Sequence, residues 1–394
     1  MNTKTVLHIA PTPFFSDRGC HIRIEGVVNC LTGLGYNNLV CTYHHGGDVD
    51  GVETRRIAPI KNYTKTEAGP SKYKLWADWK LLWLVIREVR RVRPTVIHAH
   101  LHEGLMIGLV VKLLLFWMRI PLVADMQGSL VGELETHGSF AKAKWLKWPV
   151  KLIEACLMFF AKTIVCSSNH SLVKIKDEFG LDDAKITLVQ DGADSAEKLS
   201  ANERAKLRDD LSLPSDKRVI VYSGALLESK GLSELQRVIY LCNQMSDVHF
   251  LIIGYPDNEL RAFLSENNLD KSCTLLGRVA FAELPKLLQL ADIAIDPKSS
   301  DAGEGSGKML NYLACALPVL AFNSKNNREF LPADVVLPDD VEGMVNQLQQ
   351  LVADPDALLS LGQNNYAHFE ANFSWDKTRE QLAAVYRRLE PNIT

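Results

Sequence analysis

The chain has 394 residues, of which 47% are hydrophobic and 23% charged, a composition typical of a soluble globular protein and not of a disordered one. This length exceeds what a single hydrophobic core supports, so we expect two domains of about 200 residues each. The formal net charge of −3 gives no reason to expect a nucleic-acid partner.

The cysteine pattern indicates a reducing compartment. The eight cysteines form no CxxC pair and no zinc-like spacing, so we expect reduced thiols. The opening segment VLHIA is only of strand length, and we expect no secretory signal. Together these features predict a cytoplasmic protein.

Strands and helices alternate through the first half of the chain. Strands are predicted at VLHIAP, NLVCTY, TVIHAHL and PLVADMQG, and helices over residues 21–35, 74–92 and 104–118. Such alternation predicts a parallel sheet with helices on both faces. Lys112, Arg119 and Pro121 interrupt the apolar run 105–124, which we interpret as a buried crossover helix leading into a strand, not as a membrane span.

The alternation restarts after Leu213 and predicts a second Rossmann-like domain. Strands are predicted at RVIVYSG, VHFLIIG, CTLLG, DIAIDP and PVLAF, with helices between them. The polar segment 191–214 interrupts the pattern and is predicted to be the linker.

A lysine follows the first strand of the second half. Segment 222–232, YSGALLESKGL, places Gly224 at a strand end and Lys230 with Gly231 ahead of a helix. Loops at the carboxyl ends of parallel strands face the ligand crevice, and a lysine beside a helix N-terminus suits a diphosphate. An exposed loop lysine explains the same pattern, so this motif alone leaves both explanations open.

A glycine-rich loop follows the strand DIAIDP in segment 296–322. Closely spaced glycines let an anion approach the backbone, and the N–H groups of a helix that begins near Ser306 can bind its oxygens. A flexible loop with a serine cap is the alternative. Because two such features lie at one sheet edge, we favour phosphate binding.

These motifs together resemble the family 4 glycosyltransferases, and the resemblance covers nearly the whole chain. The matching segments are Lys230-Gly231, residues 275–297, SGKMLNYLACALPV at 306–319, VIHAH at 96–100, QDGAD at 190–194, and FSWDKT at 373–378 followed by Tyr386. The resemblance implies an α/β fold of the GT-B type, in which two Rossmann-like domains face each other across a cleft.

The resemblance also implies the domain bounds and the reaction. Residues 1–195 would form the acceptor-side domain and residues 196–374 the nucleotide-sugar domain, with a C-terminal helix over 375–394 packed back on the first. The donor would be a nucleotide sugar, transfer would retain the anomeric configuration, and no metal or other cofactor would be required.

Matching positions carry the implied roles of individual residues. Lys230 would hold the donor diphosphate and stabilise charge on the leaving oxygens. Asp125 and Gln127 would face the sugar across the cleft, and these three residues are the predicted catalytic set. The predicted substrate-binding residues are Arg18 and Gly19 beside the acceptor, and Gly224, Glu304, Gly305, Ser306, Gly307, Lys308 and Asn311 around the donor.

The chain departs from the family pattern at several of these positions. Ala225 stands where many relatives have an arginine, Asn311 where a glutamate usually binds the ribose hydroxyls, Cys20 in a Gly-Gly pair, and Gln127 in place of a histidine. These departures support an alternative, a non-catalytic scaffold or sensor that binds sugar nucleotides. A sugar-nucleotide epimerase on the same twin-Rossmann plan is a further alternative.

A histidine-rich strand has two interpretations. Strand alternation would place His98, His100 and His102 on one face, as a metal site would. The strand is expected to end near Leu101, and the family resemblance explains VIHAH without a metal. We therefore expect no metal site here.

Basic and tryptophan residues are concentrated in one part of the chain. Between Lys72 and Lys162 there are fourteen Lys and Arg against seven Asp and Glu, together with six of the seven Trp. A helical spacing is shared by Trp76, Trp79, Trp83 and Ile86, and it predicts a stripe of core residues. We interpret residues 142–152, KAKWLKWPVKL, as a contact with an anionic membrane surface.

The basic aromatic segment decides the predicted location and acceptor. We expect a cytoplasmic enzyme that is peripheral on the inner face of the cell membrane. Its acceptor would be a polysaccharide or other glycan, a glycolipid or a lipid-linked sugar, as in polysaccharide or lipopolysaccharide biosynthesis.

Overall fold

The structure is a computed structural model, and it describes residues 4–16, 19–64, 72–128, 130–131, 145, 147–298 and 307–389. The chain divides into two compact units. The first domain contains residues up to Gly192 and from Trp375 onward, and the second lies between Ala193 and Ser374.

The strands of the described residues form two parallel sheets. They are β1 Thr5–Ala10, β2 Asn37–Thr42, β3 Glu53–Arg56, β4 Val96–His100, β5 Leu122–Met126, β6 Thr163–Cys166, β7 Ile186–Leu188, β8 Arg218–Ser223, β9 Val248–Ile253, β10 Cys273–Leu275, β11 Ile293–Asp296 and β12 Val319–Ala321. The first sheet has the order β3-β2-β1-β4-β5-β6-β7 and the second β10-β9-β8-β11-β12. Most of these strands are near-continuous apolar runs because both faces of each sheet are covered.

The α-helices alternate with the strands. They are α1 Gly19–Gly33, α2 Lys74–Val92, α3 Leu101–Leu114, α4 Lys147–Phe160, α5 Asn169–Phe179, α6 Ala201–Asp210, α7 Leu232–Cys242, α8 Asn258–Glu266, α9 Leu284–Leu288, α10 Gly307–Ala314, α11 Lys325–Phe330, α12 Val341–Ala353, α13 Pro355–Asn372 and α14 Trp375–Leu389. Among the described residues, no helix is both long and apolar enough to cross a membrane.

Helices cover both faces of the first sheet. Helices α2 to α5 pack on one face, where Leu7 of β1 and Leu122 of β5 are buried. Helices α1 and α14 pack on the other, where Val27 and Leu382 meet Val6 of β1. Two hydrophobic layers on one sheet are what the predicted alternation of elements requires.

The C-terminal helix α14 belongs to the first domain. The ring of Trp375 lies directly against Gly26 of α1, where a Cβ atom would come within 2.0 Å of it, and also against Gly192. Further along the helix, Thr378 donates a hydrogen bond to the carbonyl of Gln190. The absence of a side chain at Gly26 is therefore what lets the indole approach the helix.

The predicted linker contains a helix of the second domain. The segment 191–214 was predicted to be a linker, but α6 begins within it at a capping box formed by Ser200 and Glu203. Arg204 of this helix donates to the carbonyl of Gln289, 2.8 Å away. The polar composition that suggested a linker instead reflects a helix with no fully buried residue.

The prediction that the tryptophans of α2 form a core stripe is wrong. Trp76, Trp79 and Trp83 each expose more than half of their surface. The buried face of α2 is the neighbouring aliphatic stripe, which includes Leu81 and Val85. Both stripes have helical spacing, and the smaller aliphatic side chains are the ones that pack against the sheet.

The crossover helix α3 is buried on one face only. Leu105 and Val111 lie in the core, as expected for a crossover helix. Leu113 and the following Trp117, in contrast, are 74% and 60% exposed. The apolar run therefore supplies an apolar outer surface as well as a core face.

The contact between Gly26 and Trp375 predicts a stability difference between two matched variants. Gly26→Ala should lower the free energy of unfolding by about 1–3 kcal/mol, because the new methyl group overlaps the indole. Gly33→Ala in the same helix meets only the flexible side chain of Arg379, at 3.4 Å, and should cause no such loss. Urea unfolding of both variants checks this, and equal stabilities would contradict it.

Candidate functional site

Two loops of the second domain meet at one sheet edge. Strands β8 and β11 are neighbours, so the loops that follow them, at Gly224 and Pro297, leave the same edge. Gly231 has φ +87°, and a Cβ atom there would lie 2.7 Å from the carbonyl oxygen of Pro297. Only glycine permits this approach. The turn before α7 and the start of the loop after β11 are thus adjacent at this edge.

Lys308 lies at the centre of this edge. Its Nζ atom is 2.6 Å from Oδ1 of Asp296 and 4.6 Å from the ring centroid of Tyr222. Its Cδ atom is 3.7 Å from where a Cβ atom of Gly224 would be. This ion pair uses one of the three N–H donors of the ammonium. The ammonium therefore keeps donor capacity for an anion.

Two buried tyrosines hold the surrounding backbone. The Tyr222 hydroxyl donates to the carbonyl of Ala225 at 3.1 Å and lies 3.4 Å from the carbonyl oxygen of Lys230. The backbone N–H of Ser223 donates to the Tyr312 hydroxyl at 2.7 Å, which fastens α10 to the end of β8. Burial raises the pKa of both phenols, so both remain neutral at physiological pH.

The structure describes some of the other residues that were predicted to bind the sugar donor. Lys230 ends a short 3-10 turn, Glu228–Lys230, and is half-buried. Gly307 is exposed at the start of α10, and Asn311 is half-buried in the same helix. Glu304, Gly305 and Ser306 lie outside the described residues.

The prediction that Asp125 faces the sugar is wrong, because its side chain is fully buried within the first domain. Arg23 of α1 donates to Oδ1 of Asp125 through Nε and Nη2, at 2.8 and 2.7 Å. Nδ1 of His100 donates to Oδ2 at 2.8 Å. Burial alone would raise the pKa of Asp125, but the charge of Arg23 and the histidine hydrogen bonds hold it well below its usual range.

Arg23 is the main residue of this cluster that the sequence analysis missed. It is 1% exposed, and it also donates to the carbonyl of Val189 and to Asp191. An arginine among the apolar positions Ile24 and Val27 of α1 was the available signal. Buried arginines need paired carboxylates, so a partner in the core was to be expected.

The three predicted histidines do not share one face. Strand β4 ends at His100, and His102 lies on α3, where its Nε2 is 3.0 Å from Glu154. His98 and His100 instead lie with Asp125, and these three residues present possible metal-ligand atoms within 4.8 Å of one another. Arg23 already supplies a positive charge to Asp125, and that no metal is required stays a prediction.

Other predicted residues of the first domain lie near chain turns. Gln127 follows β5 and is half-buried, and its amide nitrogen donates no hydrogen bond to any residue that the structure describes. Gly19 begins α1 and is exposed, with open space around its Cβ position. Arg18 lies outside the described residues. The amide nitrogen of Gln127 can therefore donate a hydrogen bond to a ligand atom.

Comparisons with known families match both halves of the chain. Residues 19–197 match the model described as Glycosyltransferase Family 4, and residues 217–354 match Glycosyl transferases group 1. A Corynebacterium glutamicum relative is described as a GDP-mannose-dependent monoacylated alpha-(1-6)-phosphatidylinositol monomannoside mannosyltransferase. It is 27% identical over 192 residues, 46% of this chain and 50% of that protein. The chain thus spans about half the length of this relative.

Solved structures share the fold. Sucrose-phosphate synthase from Thermosynechococcus elongatus has a TM-score of 0.81 at 17% identity, covering 99% of this chain and 100% of that chain. Anabaena Alr3699/HepE in complex with UDP and glucose has a TM-score of 0.76 at 17% identity, with 97% and 99% covered. These likenesses confirm the predicted class, two Rossmann-like domains of the GT-B type.

The buried histidine cluster predicts acid sensitivity. Burial lowers the pKa of His98 to about 4, although Asp125 opposes this shift. The unfolded chain protonates this imidazole below about pH 6.5 and the folded protein only near pH 4. Stability should therefore fall as pH falls through this window, by roughly 3 kcal/mol in total.

Two measurements check this sensitivity. Urea unfolding between pH 7 and pH 4 gives the change in stability. The NMR resonance of the His98 ring, assigned by its loss in His98→Gln, should keep its neutral position at pH 5. A titration midpoint near the ordinary value of 6.5 would contradict the lowered pKa of His98.

Proposed function

We propose that this chain, whose two halves match glycosyltransferase family models, transfers a sugar from a nucleotide-sugar donor to a glycan, glycolipid or lipid-linked acceptor. The observation that carries this proposal is the sheet edge of the second domain. There the ammonium of Lys308 and the backbones of Gly224 and Gly231 lie together at the ends of β8 and β11. Cations and open backbone at such an edge suit a diphosphate.

The proposed chemistry is electrostatic. As the bond between the sugar and the diphosphate breaks, negative charge grows on the leaving oxygen. Lys230, Lys308 and the N–H groups at the start of α10 would stabilise this charge. We propose retention of configuration without a required metal, with a leaving phosphate oxygen accepting the proton of the acceptor hydroxyl.

Lys308 favours catalysis over the scaffold alternative. Ala225 lacks the cation that many relatives place after the first strand of this domain. The Lys308 side chain reaches that strand end from α10, since it lies beside Gly224 and Tyr222. An ammonium from another element thus lies at the same edge, where it is paired with Asp296.

The comparisons support a hexose donor and a lipid-linked acceptor. HepE is described in complex with UDP and glucose, and the corynebacterial relative is named as an enzyme that uses GDP-mannose and a phosphatidylinositol monomannoside. We propose a nucleoside diphosphate hexose as donor and an acceptor at the inner face of the cell membrane. The exposed tryptophans of the first domain support this location.

A panel of nucleotide sugars tests the function. The purified protein should bind at least one member and hydrolyse or transfer its sugar. Tight binding without turnover on any acceptor would support the scaffold instead, and an epimerised sugar nucleotide made without acceptor would support the epimerase. No binding across the panel would exclude all three.

Replacing Lys230 tests its proposed role. Lys230→Ala should lower kcat/KM for the donor by about 10²-fold, because a cation on the leaving oxygens acts mainly in the transition state. Lys206→Ala, an exposed lysine of α6 in the same domain, is the control and should keep the wild-type rate. Equal kinetics in the two variants would remove the role of Lys230.

Lys308 can be tested by moving its charge. Lys308→Met keeps most of the side-chain volume and should lower kcat/KM about 10- to 100-fold, the range for one charged hydrogen bond. Adding Ala225→Arg to this variant should recover part of the loss, because it returns a cation to the same strand end. A double variant no faster than Lys308→Met, with donor binding also unrestored, would argue against charge relocation.

A further inference from the structure

Helices α2, α3 and α4 form one layer on the first sheet, and their outer surface is apolar. Neighbouring helices of the layer are in contact, α2 with α3 and α3 with α4. Each contributes large side chains that expose at least half of their surface, represented by Trp79, Trp83, Leu113, Trp117, Trp148 and Phe159. We call this surface the α2–α4 face.

Such a surface is unusual for a protein that stays in water. The outer stripe of a helix on a sheet is normally polar, and large contiguous apolar patches mark an interaction site. Leu113 is 74% exposed and Trp148 is 73% exposed. Because such side chains occur on all three helices, an isolated packing defect does not explain them.

Three lysines lie together at the end of this face. Lys112 is in the last turn of α3, Lys162 follows the end of α4, and Lys185 precedes β7. Lys185 donates to the carbonyl of Phe159, and its ammonium lies 5.0 Å from the centroid of that ring. Lys185 therefore contacts the apolar surface directly.

The lysine cluster holds like charges close together. Burial and then the charge of Lys162 lower the pKa of Lys112, and burial and then Lys112 lower the pKa of Lys185. The negative charge of Asp182 partly offsets the lowering of the pKa at Lys185, but not at Lys112. A bound anion would relieve the repulsion among the three ammonium groups.

We propose that the α2–α4 face docks in the interfacial layer of an anionic lipid bilayer, with its tryptophans at the headgroup boundary and Lys112, Lys162 and Lys185 on lipid phosphates. Tryptophan prefers this boundary, and lysine stems extend along apolar surface to reach headgroups. Apolar burial and charge attraction then act together. This inference concerns how the protein meets a membrane and does not depend on sugar transfer.

Charge argues against a second copy of the chain as the occupant. The segment 72–162, which supplies the three helices, has fourteen basic and seven acidic residues. A symmetric dimer through this face would oppose two surfaces of the same positive sign. An anionic bilayer provides the complementary charge.

The apolar part is tested with vesicles. Binding of the full chain is measured by co-sedimentation with phosphatidylcholine vesicles, with and without phosphatidylglycerol. Leu113→Ser with Trp117→Ser should weaken binding to the anionic vesicles at least about tenfold, the value of one buried large side chain. The matched control, Val336→Ser with Leu359→Ser, removes two similarly exposed residues of the second domain and should bind as wild type.

The charged part is tested with Lys162→Gln. It should lower affinity for the vesicles that contain phosphatidylglycerol about fivefold and leave binding to pure phosphatidylcholine unchanged. Equal loss on both vesicle types would overturn the role of the lysines.

Two results would overturn the proposal as a whole. One is wild-type vesicle binding by the Leu113/Trp117 variant. The other is no binding of the wild type to the anionic vesicles; a dimer seen by light scattering that this variant dissociates would then identify a second copy of the chain as the occupant. Far-UV circular dichroism and the urea-unfolding midpoint of each variant, compared with wild type, confirm that it folds. Absence of donor binding in the wild type would contradict the proposed enzyme while leaving the vesicle result intact.

Discussion

The ion pair between Lys308 and Asp296 organises the edge on which the proposed chemistry depends. Asp296 ends β11 and is 2% exposed, so its charge needs a cation nearby. Lys308 provides it from α10, and the ring of Tyr222 on β8 borders the same ammonium. One cation thus connects a helix to two strands. The pair occupies one donor of Nζ, and the proposed phosphate contact would use another.

A second buried charge network stabilises the first domain. Arg23, Asp125 and His100 join α1, β5 and β4, and Nδ1 of His98 lies 2.8 Å from the hydroxyl of Tyr386 on α14. Breaking such a pair leaves an uncompensated buried charge, which is costly. The cluster is therefore best understood as the element that fixes the C-terminal helix and the sheet, and the predicted sugar contact at Asp125 gives way to this role.

The two faces of the helix layer in the first domain differ from the usual arrangement. The inner face is aliphatic and packs on the sheet, while the outer face carries tryptophan and phenylalanine next to lysine. Exposure of these side chains to water has a free-energy cost that burial in a lipid interface would recover. The proposed enzyme, acting on a membrane-bound acceptor, would benefit from such a location.

The alternation of elements, the two Rossmann-like domains and the glycine turn after β8 could all be predicted from the sequence. These depend on local periodicity and on backbone conformations available to glycine, which short segments encode. The stripe of α2 that faces the core could not be predicted in this way, because both stripes have the same period and packing selects between them. Nor could the burial of Asp125 against Arg23, a residue 102 positions away. Partners so distant in sequence are selected by packing, and packing is not visible in any single segment.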